Sequence, residues 1–194
     1  SLVVGLTLGM IAALRRNKLI DRVIIFFTTL FQSVPGFVMA TLLLLIFAQQ
    51  LGWFPVYRQG NPSYFLPVLS MSLYPIAYIT RLTKSSMLDV LADDYIRTAR
   101  SKGVHPVAVV AKHALRNAVL PVVTYLGPMI AYTLTGSMVV ETVFTLPGLG
   151  LEFVKSIMNR DYTMIMGTTI FLAIFMVFMT LVSDLIYKVI DPRI

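Results

Sequence analysis

The chain has 194 residues, of which 57% are hydrophobic and only 13% are charged, and its mean hydropathy is +0.81. Soluble domains carry about 25% charged residues, so this composition excludes an ordinary soluble protein and indicates one that is solvated by lipid. The sequence contains no cysteine, which excludes disulfides and cysteine-based metal or nucleophile sites.

Long uncharged intervals predict the membrane spans. Arg22 and Arg58 enclose 35 uncharged residues, and three later intervals enclose at least 22 each. Because about 20 mostly apolar residues cross the hydrocarbon, each interval can hold one helix. We therefore predict an all-α, polytopic bundle of transmembrane helices with five spans in this chain. The spans run to about Leu14, then from about Val23 to Gln50, Leu66 to Leu82, Ala118 to Val140 and Tyr162 to Tyr187.

The first apolar run, Ser1 to Leu14, is shorter than a full span and begins in the middle of the apolar pattern. A signal peptide carries its positive charge before the apolar run, whereas Arg15 and Arg16 follow this one. We therefore interpret the run as the tail of a spanning helix in a longer protein.

The net charge of +7 is explained by topology rather than by nucleic-acid binding. If the spans alternate, one side keeps only Arg58, Lys155 and Arg160. The other side receives 13 of the 16 basic residues, which the positive-inside rule makes the cytoplasmic side. These are Arg15, Arg16, Lys18, Arg22, Arg81, Lys84, Arg97, Arg100, Lys102, Lys112, Arg116, Lys188 and Arg193.

Several predicted spans contain residues that disturb helices, and none carries an ionisable residue at its centre. Kinked helices suit a moving pathway, but proline is also commoner in membrane helices than in soluble ones, so both readings stay open. Proton-coupled transporters use intramembrane ionisable groups, so their absence implies that energy comes from elsewhere. The disturbing residues are Pro35, Gly36, Pro67, Pro75, Pro121, Gly127 and Pro128.

The longest predicted cytoplasmic segment, residues 83–117, contains a short helix with clear ends. Either Asp93 or Asp94 can cap the N-terminus of this helix. Asp93 can instead form an i,i+4 pair with Arg97. Gly103 supplies a left-handed stop. The result is about two turns, on the order of 12 Å long. Pro106, with His105 before it, is placed to open a second helix.

A helix of this length is marginal in water and needs a partner surface. On physical grounds alone, two interpretations stay open. The helix could rest on anionic headgroups, which Arg97, Arg100 and Lys102 would suit, or it could dock on another protein.

The segment resembles the cytoplasmic signature loop of permease subunits of binding-protein-dependent ATP-binding-cassette (ABC) importers. Arg97-Thr98-Ala99 occupies the position of the Glu-Ala-Ala-like triplet, Gly103 that of the glycine, and Val104, Val110 and Leu115 those of the apolar positions. Arg97 replaces the frequent glutamate, and Arg116 stands where many members have proline. Both departures are similar to the peptide and nickel branch.

More of the chain is similar to the same branch, most densely over residues 81–194. The matching runs are Arg81 to Leu88, His113 to Pro121, Glu141 to Phe144, Pro147 to Gly150, Asn159 to Tyr162 and Asp191 to Arg193. The resemblance implies an ABC type I importer permease-like fold, a single permease domain over residues 1–194, and one more span before Ser1. It also implies the cytoplasmic (inner) membrane of a prokaryote.

The resemblance further implies that the short helix couples the spans to a separate ATPase. Tyr95, Ile96 and Ala99 would be packing contacts, and Arg97 and Arg100 polar anchors. The implied partners are a second homologous permease, two cytoplasmic ATP-binding subunits and an extracytoplasmic peptide-binding protein. This chain lacks a phosphate-binding glycine loop, so ATP and Mg²⁺ are expected on the partner ATPase subunits and this chain is not expected to be an enzyme. The coupling residues are Asp94, Tyr95, Ile96, Arg97, Thr98, Ala99, Arg100, Ser101, Lys102 and Gly103.

Residues 141–161 form the predicted extracytoplasmic segment, with an amphipathic helix from about Leu151 to Met158 that uses Leu151, Val154, Ile157 and Met158 as its apolar side. We interpret it either as part of an external mouth that contacts the peptide-binding protein or as a re-entrant cap between span ends. The mouth residues are Glu141, Phe144, Pro147, Gly148 and Gly150, and the candidate pathway residues are Gln32, Ser33 and Pro35. Trp53, Phe54, Tyr57, Tyr64 and Phe65 are expected to form an interfacial aromatic belt.

Oligopeptide or dipeptide import is the predicted function, and import of nickel or another small solute is the alternative within the branch. A non-ABC channel or secondary transporter would need a polar ring lining the pore or an ion site at the membrane midplane, and the sequence shows neither pattern. An intramembrane enzyme would need a metal-binding HExxH or a paired catalytic group within the spans, and the sequence offers none.

Overall fold

A computed structural model describes residues 1–56, 63–134 and 138–190. Within these ranges the chain is helical and contains no strand, which confirms the all-α prediction. The helices are α1 (Leu2–Leu14), α2 (Leu19–Ser33), α3 (Gly36–Gln50), α4 (Phe65–Ala92), α5 (Asp94–Ser101), α6 (Pro106–Ala118), α7 (Leu120–Leu134), α8 (Met138–Phe144), α9 (Leu149–Met158) and α10 (Tyr162–Ile190).

Two segments, Phe65–Ala92 and Tyr162–Val182, are by themselves long and apolar enough to cross a membrane. The bent pairs α2 with α3 and α6 with α7 pass the same test when each pair is taken as one span, which gives up to four candidate spans in the described residues. The first predicted span, which ends at about Leu14, corresponds to α1, a shorter apolar helix, and it stays a prediction.

The structure corrects the bounds of two predicted spans. The second is broken, since α2 ends at Ser33 and α3 begins at Gly36, with Pro35 as the residue before the new helix. A proline removes a backbone donor and clashes with the preceding turn, so the chain here breaks rather than kinks. The third continues to Ala92, ten residues past the predicted end, because no glycine or proline interrupts it after Pro75. The fourth predicted span corresponds to α7, described as far as Leu134, and α8, described from Met138, and residues 135–137 lie outside the described residues.

One compact unit comprises Ser1–Gln32, Pro75–Leu126 and the residues from Tyr187 onward. Here α1 lies unusually close to α4. A methyl group added to Gly9 would lie 2.5 Å from Cβ of Thr83, and one added to Gly5 would lie 2.7 Å from Cβ of Ile79. Gly5 and Gly9 therefore form a small-residue stripe of the kind that lets membrane helices pack backbone to backbone.

The second unit comprises Ser33–Tyr74 and Gly127–Ile186. Its buried core joins α3, α4 and α8, and Phe54 and Phe65 stack beside it with ring centroids 4.4 Å apart. Only 6% of the most apolar stretch of the candidate span in α10 is buried within the chain, so the apolar surface of this helix is left for lipid or a partner helix. The buried core residues are Ala40, Leu43, Leu66, Val140 and Phe144.

Trp53, Tyr64 and Phe65 of the expected aromatic belt are exposed, and Phe54 is half-buried. Tyr57 and Arg58 lie outside the described residues, as does the terminal run Asp191 to Arg193. The prediction of one permease domain over residues 1–194 stays a prediction.

Candidate coupling site

The predicted cytoplasmic segment begins inside α4 rather than in a loop. At 28 residues this helix is about 42 Å long, whereas the hydrocarbon core is about 30 Å thick. On the order of 12 Å of continuous helix is therefore left to project beyond the lipid. Only Asp93 separates the end of α4 from α5, so α5 is attached to a stiff support.

The ends of α5 match the sequence prediction closely. Asp93 occupies the N-cap position, although its side chain makes no capping hydrogen bond. Gly103 has a φ of 76°, the left-handed conformation that a side chain disfavours. Its N–H donates to the carbonyl of Arg100, and the N–H of Val104 donates to that of Ala99. These two bonds satisfy carbonyls that would otherwise be unpaired at the helix end, so α5 stops sharply at Lys102.

Ile96 fixes α5 to the rest of the first unit. Its side chain is fully buried in a cluster with Met87 of α4, and with Val109 and Ala114 of α6. Burying an isoleucine side chain contributes about 1.5–3 kcal/mol. One residue of α5 thus contacts both helices that flank the coupling segment.

Tyr95 adds a polar link between α5 and α6. The Asn117 amide donates to the Tyr95 hydroxyl at 2.8 Å, and that hydroxyl lies 3.5 Å from the carbonyl oxygen of His113. Val109–Ala114, the middle of α6, is wound as a wider π-helix. The face of α6 that meets α5 is therefore held by packing and by side-chain hydrogen bonds.

The outer face of α5 is polar and basic. Asp94 and Arg97 form an ion pair with 3.6 Å between Oδ1 and Nη1, but their side chains are 95% and 77% exposed. An ion pair this exposed adds little stability. The structure pairs Asp94, not Asp93, with Arg97, because the helix begins at Asp94 and the two residues lie one turn apart. Arg100 and Lys102 are also exposed, and Ala99 is half-buried.

The structure also shows an ion pair that the sequence analysis missed. Lys84 of α4 donates to Asp21 at the start of α2, with 2.5 Å between Nζ and Oδ1. The side chain of Asp21 is 6% exposed and that of Lys84 is 20% exposed. The other carboxylate oxygen of Asp21 accepts the backbone N–H of Asn17 at 2.9 Å. The basic turn after α1 is thereby tied to α4, three turns from the coupling helix.

The candidate pathway residues have different surroundings. Gln32 is half-buried, and its side-chain oxygen accepts a hydrogen bond from Nη1 of Arg81 at 3.0 Å. Ser33 and Pro35 are exposed at the break between α2 and α3. A polar contact is thus present at the end of α2, where Gln32 meets Arg81 of α4.

In the predicted external segment, Glu141 points back into the protein. Its Oε2 accepts the backbone N–H of Leu151 at 3.0 Å, so the carboxylate satisfies a donor at the N-terminus of α9. A methyl group on Gly148 would overlap that carboxylate, and one on Gly150 would lie 2.6 Å from Cα of Met138. Phe144 is buried and Pro147 is exposed.

The predicted amphipathic helix is present as Leu149–Met158, but its buried side differs from the prediction. Gly150 and Ser156 are its buried residues and the predicted Leu151 and Val154 are half-buried, whereas Ile157 and Met158 are 48% and 79% exposed. The close approach of α8 at Gly150 turns the helix so that small residues face inward, an effect that apolar spacing alone does not predict.

Residues 5–194 match the family described as the binding-protein-dependent transport system inner membrane component. The chain is 48% identical over 191 residues to a dipeptide transport system permease protein of Bacillus subtilis, covering 98% of this chain and 62% of that protein. It is 43% identical to an oligopeptide transport system permease protein of Haemophilus influenzae, covering 100% of this chain and 64% of that protein. The chain thus spans slightly less than two thirds of the length of these curated relatives.

A solved structure of the MetNI methionine ABC transporter, in an inward-facing conformation, has a chain with the same fold. The TM-score is 0.74, and the alignment covers 97% of this chain and 87% of the other at 17% sequence identity. An ABC type I importer permease fold was predicted from the sequence, and this likeness confirms it.

Proposed function

The chain belongs to the family of inner membrane components of binding-protein-dependent transport systems, and from this premise we propose that it is a pore-forming permease subunit of an ATP-driven peptide importer. Its substrates would be oligopeptides or dipeptides, which it would move across the cytoplasmic membrane of a prokaryote by alternating access. Support comes from relatives 48% and 43% identical, whose names specify dipeptide and oligopeptide transport.

The proposed complex contains a second homologous permease, two cytoplasmic ATP-binding subunits and an extracytoplasmic peptide-binding protein. ATP and Mg²⁺ would bind to the ATPase subunits, and this chain would supply part of the pathway without itself catalysing a reaction. The transport pathway would lie between the two permeases.

The main support for the proposal is that α5 has a polar, exposed outer face and an apolar inner face buried in the protein. Its outer face offers exposed polar side chains, including Arg97 and Arg100, to a partner. Its inner face places Ile96 in contact with α4 and α6. A helix that lay on headgroups would bury its apolar side in lipid, whereas the apolar residue Ile96 is already fully buried in protein. This arrangement favours docking on a protein over resting on a membrane surface.

The contacts suggest how motion would be transmitted. Closure of the ATPase subunits would displace α5 as a short rigid rod, since its end is fixed by the hydrogen bonds around Gly103. Close-packed side chains transmit displacement because they do not compress. Ile96 would carry the movement to Met87 and Val109, and hence to the helices that continue into the spans.

The external segment would form part of the mouth that receives peptide from the binding protein. Glu141, Phe144, Gly148 and Gly150 would shape this mouth from within, because their contacts are internal. Pro147, together with the exposed end of α9, would be available to the binding protein. Gln32, Ser33 and Pro35 would contribute to the pathway at the break between α2 and α3.

The test is uptake of a labelled dipeptide and tripeptide into proteoliposomes that contain the complete importer, with ATP hydrolysis measured in the same preparation. We expect Arg97→Glu to reduce uptake strongly while the complex still assembles. The matched control is Lys112→Glu, which reverses an exposed charge on α6, outside the proposed coupling residues. Wild-type complex that assembles but takes up neither peptide with ATP would overturn the peptide assignment. Equal uptake by wild type and Arg97→Glu would overturn the coupling role.

A further inference from the structure

Arg81 on α4 carries a charge that the described residues leave without an acidic partner. Its guanidinium is exposed and donates one hydrogen bond, to the side-chain oxygen of Gln32. Lys84, one turn away on the same helix, pairs with Asp21 instead. Two neighbouring cations on α4 therefore have different partners, one an acid and the other a neutral amide.

The two contacts lie far apart along α2. Asp21 and Gln32 are separated by eleven residues, about 16 Å of helix. Lys84 reaches the beginning of α2, whereas Arg81 reaches the turn next to the break at Pro35. The Arg81 side chain is thus directed to Gln32, a candidate pathway residue at the end of α2, rather than to Asp21 at its beginning.

Aromatic side chains lie close to this position. Tyr78, one turn before Arg81 on α4, contacts Tyr125 of α7 with ring centroids 4.2 Å apart. The Arg81 side chain therefore lies in a stretch where α4 meets α2 through Gln32 and α7 through Tyr78.

A guanidinium in this position is suited to bind a carboxylate. Arg81 lies at the cytoplasmic end of the third predicted span, where a charged side chain is expected to face water, a cavity or a partner rather than lipid. Gln32 accepts one of the five N–H donors, which leaves the planar fork free for a bidentate bond. Every linear peptide carries a C-terminal carboxylate whatever its side chains, so one fixed arginine would serve many different peptides.

We propose that Arg81 is a carboxylate-binding residue of the transport pathway, held in place by Gln32, and that it binds the C-terminal carboxylate of a peptide in transit. This inference rests on the proposed function. It assigns a ligand group to a residue that the coupling model does not use.

The test compares uptake of one tripeptide with a free C-terminal carboxylate and the same tripeptide amidated. The complete importer is used, at concentrations that saturate the binding protein with each peptide. The quantity compared is the uptake of the free peptide divided by the uptake of the amidated peptide. Because wild type and variant use the same binding protein, the preference of that protein for either peptide cancels when this ratio is compared between them. We expect Arg81→Gln to lower uptake of the free peptide about tenfold or more relative to the amide, since a hydrogen bond to a charged group is lost. Gln32→Leu should lower the ratio of free-peptide uptake to amide uptake by a smaller factor than Arg81→Gln does.

Lys18→Gln is the control, because it removes an exposed charge from the cytoplasmic turn and should leave the ratio unchanged. An unchanged ratio in Arg81→Gln overturns the inference. A loss of both peptides to the same extent also overturns it, because that result assigns Arg81 to an acidic group of the second permease or to a lipid headgroup. If the wild-type complex imports neither peptide, the proposed function itself fails. This outcome differs from a failure of the inference alone, in which the wild-type complex imports peptide and Arg81→Gln imports both peptides in the same ratio as wild type.

Discussion

Removing the carboxylate of Asp21 should destabilise the protein substantially. Asp21→Asn keeps the shape of the side chain and an oxygen for the N–H of Asn17, but it leaves the ammonium group of Lys84 without its counter-ion. Breaking a buried ion pair from one side costs about 3–5 kcal/mol. Because one fifth of the Lys84 side chain is exposed, we expect the lower bound, about 3 kcal/mol, or roughly a hundredfold in the folding equilibrium.

The assay is unfolding of the full-length subunit in mixed micelles by sodium dodecyl sulfate, followed by circular dichroism. Asp21→Asn, Lys84→Met and the double variant complete a double-mutant cycle, which isolates the pairwise free energy. We expect the double variant to be more stable than either single variant, since it leaves no unpaired charge.

The exposed pair Glu152 and Lys155 provides the matched control, because its side chains are 48% and 54% exposed. Solvent screening limits such a pair to about 0.5 kcal/mol, so Lys155→Met should change stability little. If the effects of Asp21→Asn and Lys84→Met simply add in the double variant, the claim that these residues form a stabilising buried pair is refuted.

Three glycine substitutions test the fold by the same unfolding measurement, with Gly36→Ala as a shared control because its added methyl meets nothing within 4 Å. Gly103→Ala should cost about 1 kcal/mol from backbone strain alone, since φ is 76° and the space is open, and Gly103→Asn should cost less. Gly9→Ala should cost about 1–3 kcal/mol because the methyl meets the backbone of α4, and a cost equal to that of the control would contradict the close helix packing. Gly148→Ala displaces only the flexible carboxylate of Glu141, so it should cost about 0.5–2 kcal/mol for the disturbed helix cap, less than Gly9→Ala. A cost larger than that of Gly9→Ala would contradict this expectation.

The sequence predicted those features that depend on local chemistry. Four charge-free intervals coincide with the candidate spans, and Gly103 with Pro106 located the end of α5 and the start of α6. The four-residue spacing of Gly5 and Gly9 is a further local signal, because small residues at this spacing indicate close helix packing.

Features that depend on distant contacts could not be predicted. Asp21 is next to Arg22 in a basic turn, and nothing in the sequence indicates that its partner is Lys84, 63 positions away. The inward direction of Glu141 and the rotation of α9 likewise depend on how closely α8 and α9 approach. Hydrophobic spacing gives a helix its faces, but the neighbours decide which face is buried.

Site-specific photocrosslinking tests most directly whether α5 docks on the ATPase subunit. Because this chain has no cysteine of its own, Thr98→Cys on the exposed side of α5 can be labelled with benzophenone maleimide on the purified subunit, before the importer is assembled. We expect a light-dependent adduct with the ATPase subunit from position 98, and none from Lys155→Cys in the external segment. A transport-competent complex that gives no ATPase adduct from position 98 would contradict it.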